Sequence, residues 1–170
     1  MDWTAKIATN FTWDEVVTGT PEAVTARRAG LAKDANALAA MSKTCAVAEW
    51  IRGLTGRPVR ITSGYRGPRA TGSQHDTGHA LDLQVDGIGA LELLELIHAN
   101  RSSSPHPLRQ VIAESLHTSA LTLEKPMAPK CGVWLHIAIR TGAWARASTL
   151  PWATSVAPVS GDRIYSAWSA

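Results

Sequence analysis

The run "SQHDTGHALDLQV", residues 73–85, sets two histidines and an aspartate beside a segment that alternates apolar and polar residues. Imidazole and carboxylate groups ligate divalent metals such as zinc, and they also move protons as general acids and bases. The stretch alone leaves the roles of His75, His79 and Asp82 open, because a single histidine is most often a core or surface residue. A catalytic zinc site uses three protein ligands and leaves a fourth position for water. The rest of the chain must supply what this stretch lacks.

A candidate stands in "VWLHIAIR", residues 133–140. Strand alternation puts Trp134, His136, Ala138 and Arg140 on one face, and Val133, Leu135, Ile137 and Ile139 on the other. In "HALDLQV" the same rule sends Leu81, Leu83 and Val85 one way, and Ala80, Asp82 and Gln84 the other. In "RQVIAE" it groups Glu114 with Gln110 and Ile112. Three strands thus carry a titratable residue on comparable faces. If they pair, those groups converge on one side of a sheet, and Gly78 gives the loop bearing His75 the freedom to fold back on them.

The elements that must hold these groups are legible in outline. "TWDEVV" reads as a short helical turn, with Thr12 and Glu15 spaced as a capping box. Residues 21–56 read as helical, with Leu38, Met41, Cys45, Ala48 and Ile51 on one face and Gly53 and Gly56 at the end. "RPVRITSGYR" is a strand entering a turn. "GIGALELLELIHANR" is a second helix, with Ala90, Leu93, Leu94 and Ile97 on one stripe. "SSSPHP" is a loop, and a long connection joins the strands at 109–114 and 133–140. Helices and strands are segregated, which predicts an α+β fold with a mostly antiparallel sheet. Residues 1–140 read as one domain and 141–170 as an irregular, Trp-rich tail.

Bulk properties narrow the function. At 170 residues, 45% of them hydrophobic, the chain can bury a core without staples. No apolar run approaches the roughly 20 residues that span a membrane, and "MDWTAKIATNFTWDE" lacks a basic start leading into an apolar stretch. The expectation is a protein made in the cytoplasm, without signal peptide or membrane contact. Two cysteines, Cys45 and Cys131, are too few for a disulfide framework and read as buried thiols. The net charge of +3 is uneven, since Arg52, Arg57, Arg60, Arg66 and Arg69 crowd a segment with no acid between Glu49 and Asp76. That segment has no aromatic interleaving beyond Tyr65 and no nucleic-acid motif, so nucleic acid is set aside as a partner. A carboxylate-bearing or polyanionic substrate fits the charge.

"ITSGYR", then "SQHDTGHALDL", then "VWLHIAI" resemble, in that order, the motifs of the zinc D-Ala-D-Ala carboxypeptidase family, with its hedgehog-like and phage endolysin relatives. "NFTWDEV" resembles the family's opening and "RQVIAE" the strand before its last ligand, so the resemblance covers roughly residues 9–140. It implies a hedgehog/DD-peptidase-like fold, with helices packed on one side of the sheet and zinc on the other. It implies zinc ligation by His75, Asp82 and His136, and a substrate site lined by Ser73 and Arg66. His79 falls at a variable position beside the site. Arg66 suits the role chemically, because its guanidinium offers a planar fork to a carboxylate or an oxyanion. Tyr65 is expected to pack beneath the site.

The chain also departs from the family. Many relatives carry a general base three residues before the last histidine, where this chain has Val133. Glu114, in a Gln-x-Ile-x-Glu pattern, is the expected base, with Glu124 a weaker candidate. The loop "GPRATG", residues 67–72, is short, and the connection after Glu114 is long. The resemblance implies zinc-dependent hydrolysis of peptidoglycan stem peptides, as a D,D-carboxypeptidase or an endopeptidase. A phage or prophage lysin would reach the wall without a signal peptide. The competing reading is a virion or tail protein that keeps the fold and the zinc for structure or wall binding.

Overall fold

The structure, a computed structural model, describes residues 1–67, 72–116 and 123–140, and the backbone of 153–159 and 163–169. Of the two loops that depart from the family, residues 68–71 of the first and 117–122 of the second lie outside the described residues.

The helical segment predicted over 21–56 is two helices, α1 (Pro21–Leu31) and α2 (Ala35–Thr55). The break has a local cause. Asp34 leaves helical geometry, with φ −111° and ψ 91°, and its carboxylate accepts from the Ala37 amide at 2.9 Å. An aspartate in that role satisfies one of the amides a helix start leaves without a partner. Thr20 caps α1 in the same way, with Pro21 as its first residue. Gly56, at φ 61°, ends α2. The buried face of α2 is broader than the spacing predicted: it includes Met41, Cys45, Ala48 and Ile51, but also Ala37, Ala40, Thr44 and Val47. Leu38 is only half-buried. Around Thr12 to Val17 the chain makes turns rather than a helix, and Glu15 accepts from both the amide and the hydroxyl of Thr12.

Helix α3 (Ala90–Asn100) buries Ala90, Leu93, Leu94 and Ile97, the predicted stripe, and a short 3-10 turn (Arg101–Ser103) follows it. The strands are β1 (Val59–Ser63), β2 (Ala80–Val85), β3 (Leu108–Ser115), β4 (Val133–Ile139), β5 (Ala153–Val159) and β6 (Arg163–Ser169). They form one sheet in the order β1-β2-β4-β3-β6-β5, with every pair antiparallel. Strands β5 and β6 fall in the segment predicted to be irregular, and they extend the sheet beyond β3. Ile164, Tyr165 and Trp168 are residues that favour strands, and that signal was outweighed by the surrounding Ser, Ala and Pro.

One face of the sheet belongs to the helices. Leu81 and Leu83 of β2, Val111 and Ala113 of β3, and Leu135 and Ile137 of β4 are fully buried, in one apolar cluster with α2 and α3. Burial of each large aliphatic chain contributes roughly 1.5–3 kcal/mol, and it also fixes register, because a one-residue slip would turn the opposite face inward. Asp82, His136 and Glu114 therefore emerge on the face away from the helices.

Candidate metal centre

Strand register brings the first two groups together. Asp82 of β2 and His136 of β4 are direct cross-strand partners, and Ile112 of β3 lies opposite His136 on the other side. The third arrives on a 3-10 turn, Gln74–Thr77, that enters β2. Gly78 ends this turn with φ 75°, and a Cβ there would sit 2.5 Å from the Ala37 carbonyl of α2. Only glycine allows both the dihedral and the approach. The "SGYR" glycine has a similar cause: a Cβ on Gly64 would lie 2.2 Å from the carbonyl oxygen of Val16 in the N-terminal arm. Tyr65 anchors the same contact by donating its amide to Val16 at 2.8 Å, and the residue is 1% exposed, within the core.

Three ligand atoms then converge. His75 Nε2 lies 3.2 Å from Asp82 Oδ1 and 3.3 Å from His136 Nδ1, and His136 Nδ1 lies 2.8 Å from Asp82 Oδ1. Atoms bound about 2.0–2.1 Å from a tetrahedral ion stand roughly 3.3 Å apart. Two edges match that figure, and the third is contracted to hydrogen-bond length. The donor chemistry agrees. His75 Nδ1 donates to the Gly64 carbonyl at 2.9 Å, so with one proton on the ring the lone pair lies at Nε2. A proton on His136 Nδ1 would satisfy Asp82 but leave the His75 lone pair facing a carboxylate oxygen. A cation among the three satisfies all of them. This His-Asp-His set could therefore hold a metal ion.

Asp82 is kept ready to do so. Burial alone would raise its carboxyl, but hydrogen bonds and charge from His136 and His75 outweigh that and hold it well below the usual carboxylate range. Its second oxygen, Oδ2, accepts from Arg66 Nη2 at 2.7 Å, and Arg66 Nε donates to Ser63 Oγ at 3.0 Å. The Arg66 guanidinium is thus tied to a candidate ligand, a contact that sequence reasoning missed.

Arg66, Ser73, Glu114 and Trp134 line one cleft of about 480 Å³ with His75, Asp82 and His136. Glu114 reaches it because it sits two residues beyond Ile112 on β3, opposite Trp134. Val133 is 4% exposed, on the core side of β4. In this register the position three before His136 faces inward and cannot offer a base to the cleft. Glu124 is exposed and is not among the described residues lining it. His79 lies to one side: its Nδ1 meets Thr77 Oγ1 at 2.9 Å, and it lines a neighbouring pocket of about 140 Å³ with Gln74 and Arg109. Burial pushes its pKa down.

The cysteines are both free thiols. Cys45 is buried, and burial with Glu15 and Glu49 nearby pushes its pKa up, while Cys131 is only half-buried. Of the arginine cluster, Arg69 lies outside the described residues, and two members turn to Asp86. Arg60 pairs with the Asp86 carboxylate and Arg57 donates to the Asp86 carbonyl at 3.1 Å. Among the described residues, no helix is long and apolar enough to cross a membrane.

A family model described as Peptidase M15 matches residues 10–117, more than half of the chain. The match includes Arg66, Ser73, His75, Asp82 and Glu114 and ends before His136. No curated protein and no solved structure matches.

Proposed function

Because the chain belongs to the peptidase M15 family, we propose that it is a zinc-dependent hydrolase of peptidoglycan stem peptides, acting as a D,D-carboxypeptidase or endopeptidase. The observation that carries this reading is the convergence of His75 Nε2, Asp82 Oδ1 and His136 Nδ1 within 3.3 Å of one another, in a cleft that Glu114 also lines.

His75, Asp82 and His136 would hold the ion. When bound, zinc polarises a scissile carbonyl and lowers the pKa of a water from 15.7 towards about 7. The chain's own residues do the rest. The Glu114 carboxylate takes a proton from the attacking water and returns it to the leaving amine nitrogen. Arg66 holds Asp82 in place through Nη2, and with Ser73 it orients the substrate's carboxylate or carbonyl oxygen. Trp134 lines the cleft opposite Glu114.

A basic chain with an arginine at the cleft suits a peptide that ends in a carboxylate. The biological setting we propose is a phage or prophage lysin that acts on the wall after release from the host cell or as part of a virion.

The test is incubation of the full chain with purified peptidoglycan, with and without a chelator and with zinc restored. Chelator-sensitive release of D-alanine or of shortened cross-links supports the reading, and the products distinguish the two bond types. A chain that retains zinc but releases neither product would instead favour a virion or tail protein that binds wall without cutting it.

A further inference from the structure

His136 has a second ring nitrogen, and what faces it bears on the metal. Nδ1 points at the centre, so a metal bound there leaves the proton on Nε2. Nε2 lies 3.5 Å from one end of the Gln74 carboxamide. The other end of that carboxamide lies 3.0 and 3.1 Å from Nη1 and Nε of Arg109. A guanidinium only donates, and an amide has one accepting and one donating end. Two donors therefore compete for a single oxygen.

The two orientations have opposite consequences. With the Gln74 oxygen towards His136, Nε2–H is satisfied and Nδ1 is free to bind the metal, but the amide NH2 faces the guanidinium. With the oxygen towards Arg109, two good bonds form and the NH2 faces Nε2. That arrangement favours the lone pair on Nε2 and the proton on Nδ1, where it bonds Asp82 at 2.8 Å and blocks the metal. His75 is under no such contest, because the Gly64 carbonyl fixes its tautomer.

We infer that the Gln74 carboxamide is a two-way element whose orientation is linked to metal binding at His136, and that Arg109 is a positioning residue that weakens that binding through Gln74. This rests on the reading that His136 binds the metal through Nδ1. Groups behind a metal-bound histidine typically change affinity by 10- to 100-fold.

The experiment measures Zn²⁺ affinity of the full chain by competition with a chromogenic chelator. It compares the wild type, Arg109→Met, Gln74→Met and the double variant. Arg109→Met is expected to tighten zinc about tenfold in the wild-type background and less than about twofold where Gln74 is already Met. Long-range ¹H–¹⁵N spectra supply a second readout. The His136 proton is expected on Nδ1 in the zinc-free wild type and on Nε2 in zinc-free Arg109→Met. Equal tightening in both backgrounds would show that Arg109 acts only by its charge and would overturn the inference, as would no tightening or an unchanged tautomer. Failure of the wild type to bind zinc would overturn the metal reading itself, and this inference with it.

Discussion

The two sides of the cleft are built by different means. One side is turn-borne: Arg66, Ser73 and His75 come from a short span, held by glycines at close backbone approaches and by the Gly64 carbonyl on His75. The other is strand-borne: Glu114, Trp134 and His136 reach the cleft through the pairing of β2, β4 and β3. Asp82 belongs to both, since its strand leaves the turn and its cross-strand partner is His136. The burial of the two histidines differs accordingly, with side chains 3% and 12% exposed. A turn fixes a ligand through backbone atoms that substitution elsewhere barely alters. A strand fixes the position, but leaves the ring's tautomer to whatever side chain stands behind it.

The largest expected effect would erase the distinction. His75→Ala and His136→Ala should each abolish stoichiometric zinc, measured by metal analysis after gel filtration, because two remaining ligands make a poor site. Full occupancy in His136→Ala alone would mean that the turn-borne side suffices and that the strand-borne histidine is not a ligand.

A smaller effect is confined to the strand-borne side. Glu114→Gln keeps the shape of the side chain and removes the proton acceptor. Hydrolysis should fall by roughly 10²-fold or more while zinc stays bound, read from paired turnover and metal assays. Unchanged turnover would move the base elsewhere.

Arg66→Lys probes the turn-borne side. Lysine keeps the charge but loses the fork that joins Ser63 to Asp82. Activity should fall about 10-fold or more, with a melting temperature close to wild type. An equally active variant would reduce Arg66 to part of the basic surface.

His79→Ala is expected to change least. Its ring lines the neighbouring pocket and bonds Thr77, so zinc occupancy should be within about twofold of wild type. Loss of zinc would mean that His79 itself reaches the centre.

The same division governs what could be read from the sequence. The turn-borne residues lie close together in chain order, so motif and spacing singled out His75, Asp82, Ser73 and Arg66. Period-2 alternation was enough to put His136 and Glu114 on the cleft face, because burial of Leu135, Ile137, Val111 and Ala113 enforces it. Side-chain contacts between distant segments were not legible. Nothing in the spacing of Gln74 and Arg109 says that they meet, and the hold of Arg66 on Asp82 depends on the register shift that sets Ser63 opposite Asp82. The split between α1 and α2 turned on one aspartate cap at Asp34. The strands β5 and β6 were masked by a composition that reads as irregular.

His75, Asp82 and His136 together are expected to hold the metal. X-ray absorption at the zinc edge, on protein loaded with one equivalent and washed, tests this most directly. The expected first shell has two imidazole nitrogens with carboxylate and solvent oxygens, at about 2.0–2.1 Å, and His136→Ala is expected to retain no stoichiometric zinc. A wild-type spectrum with sulfur in the first shell, or with no imidazole scattering, would contradict it.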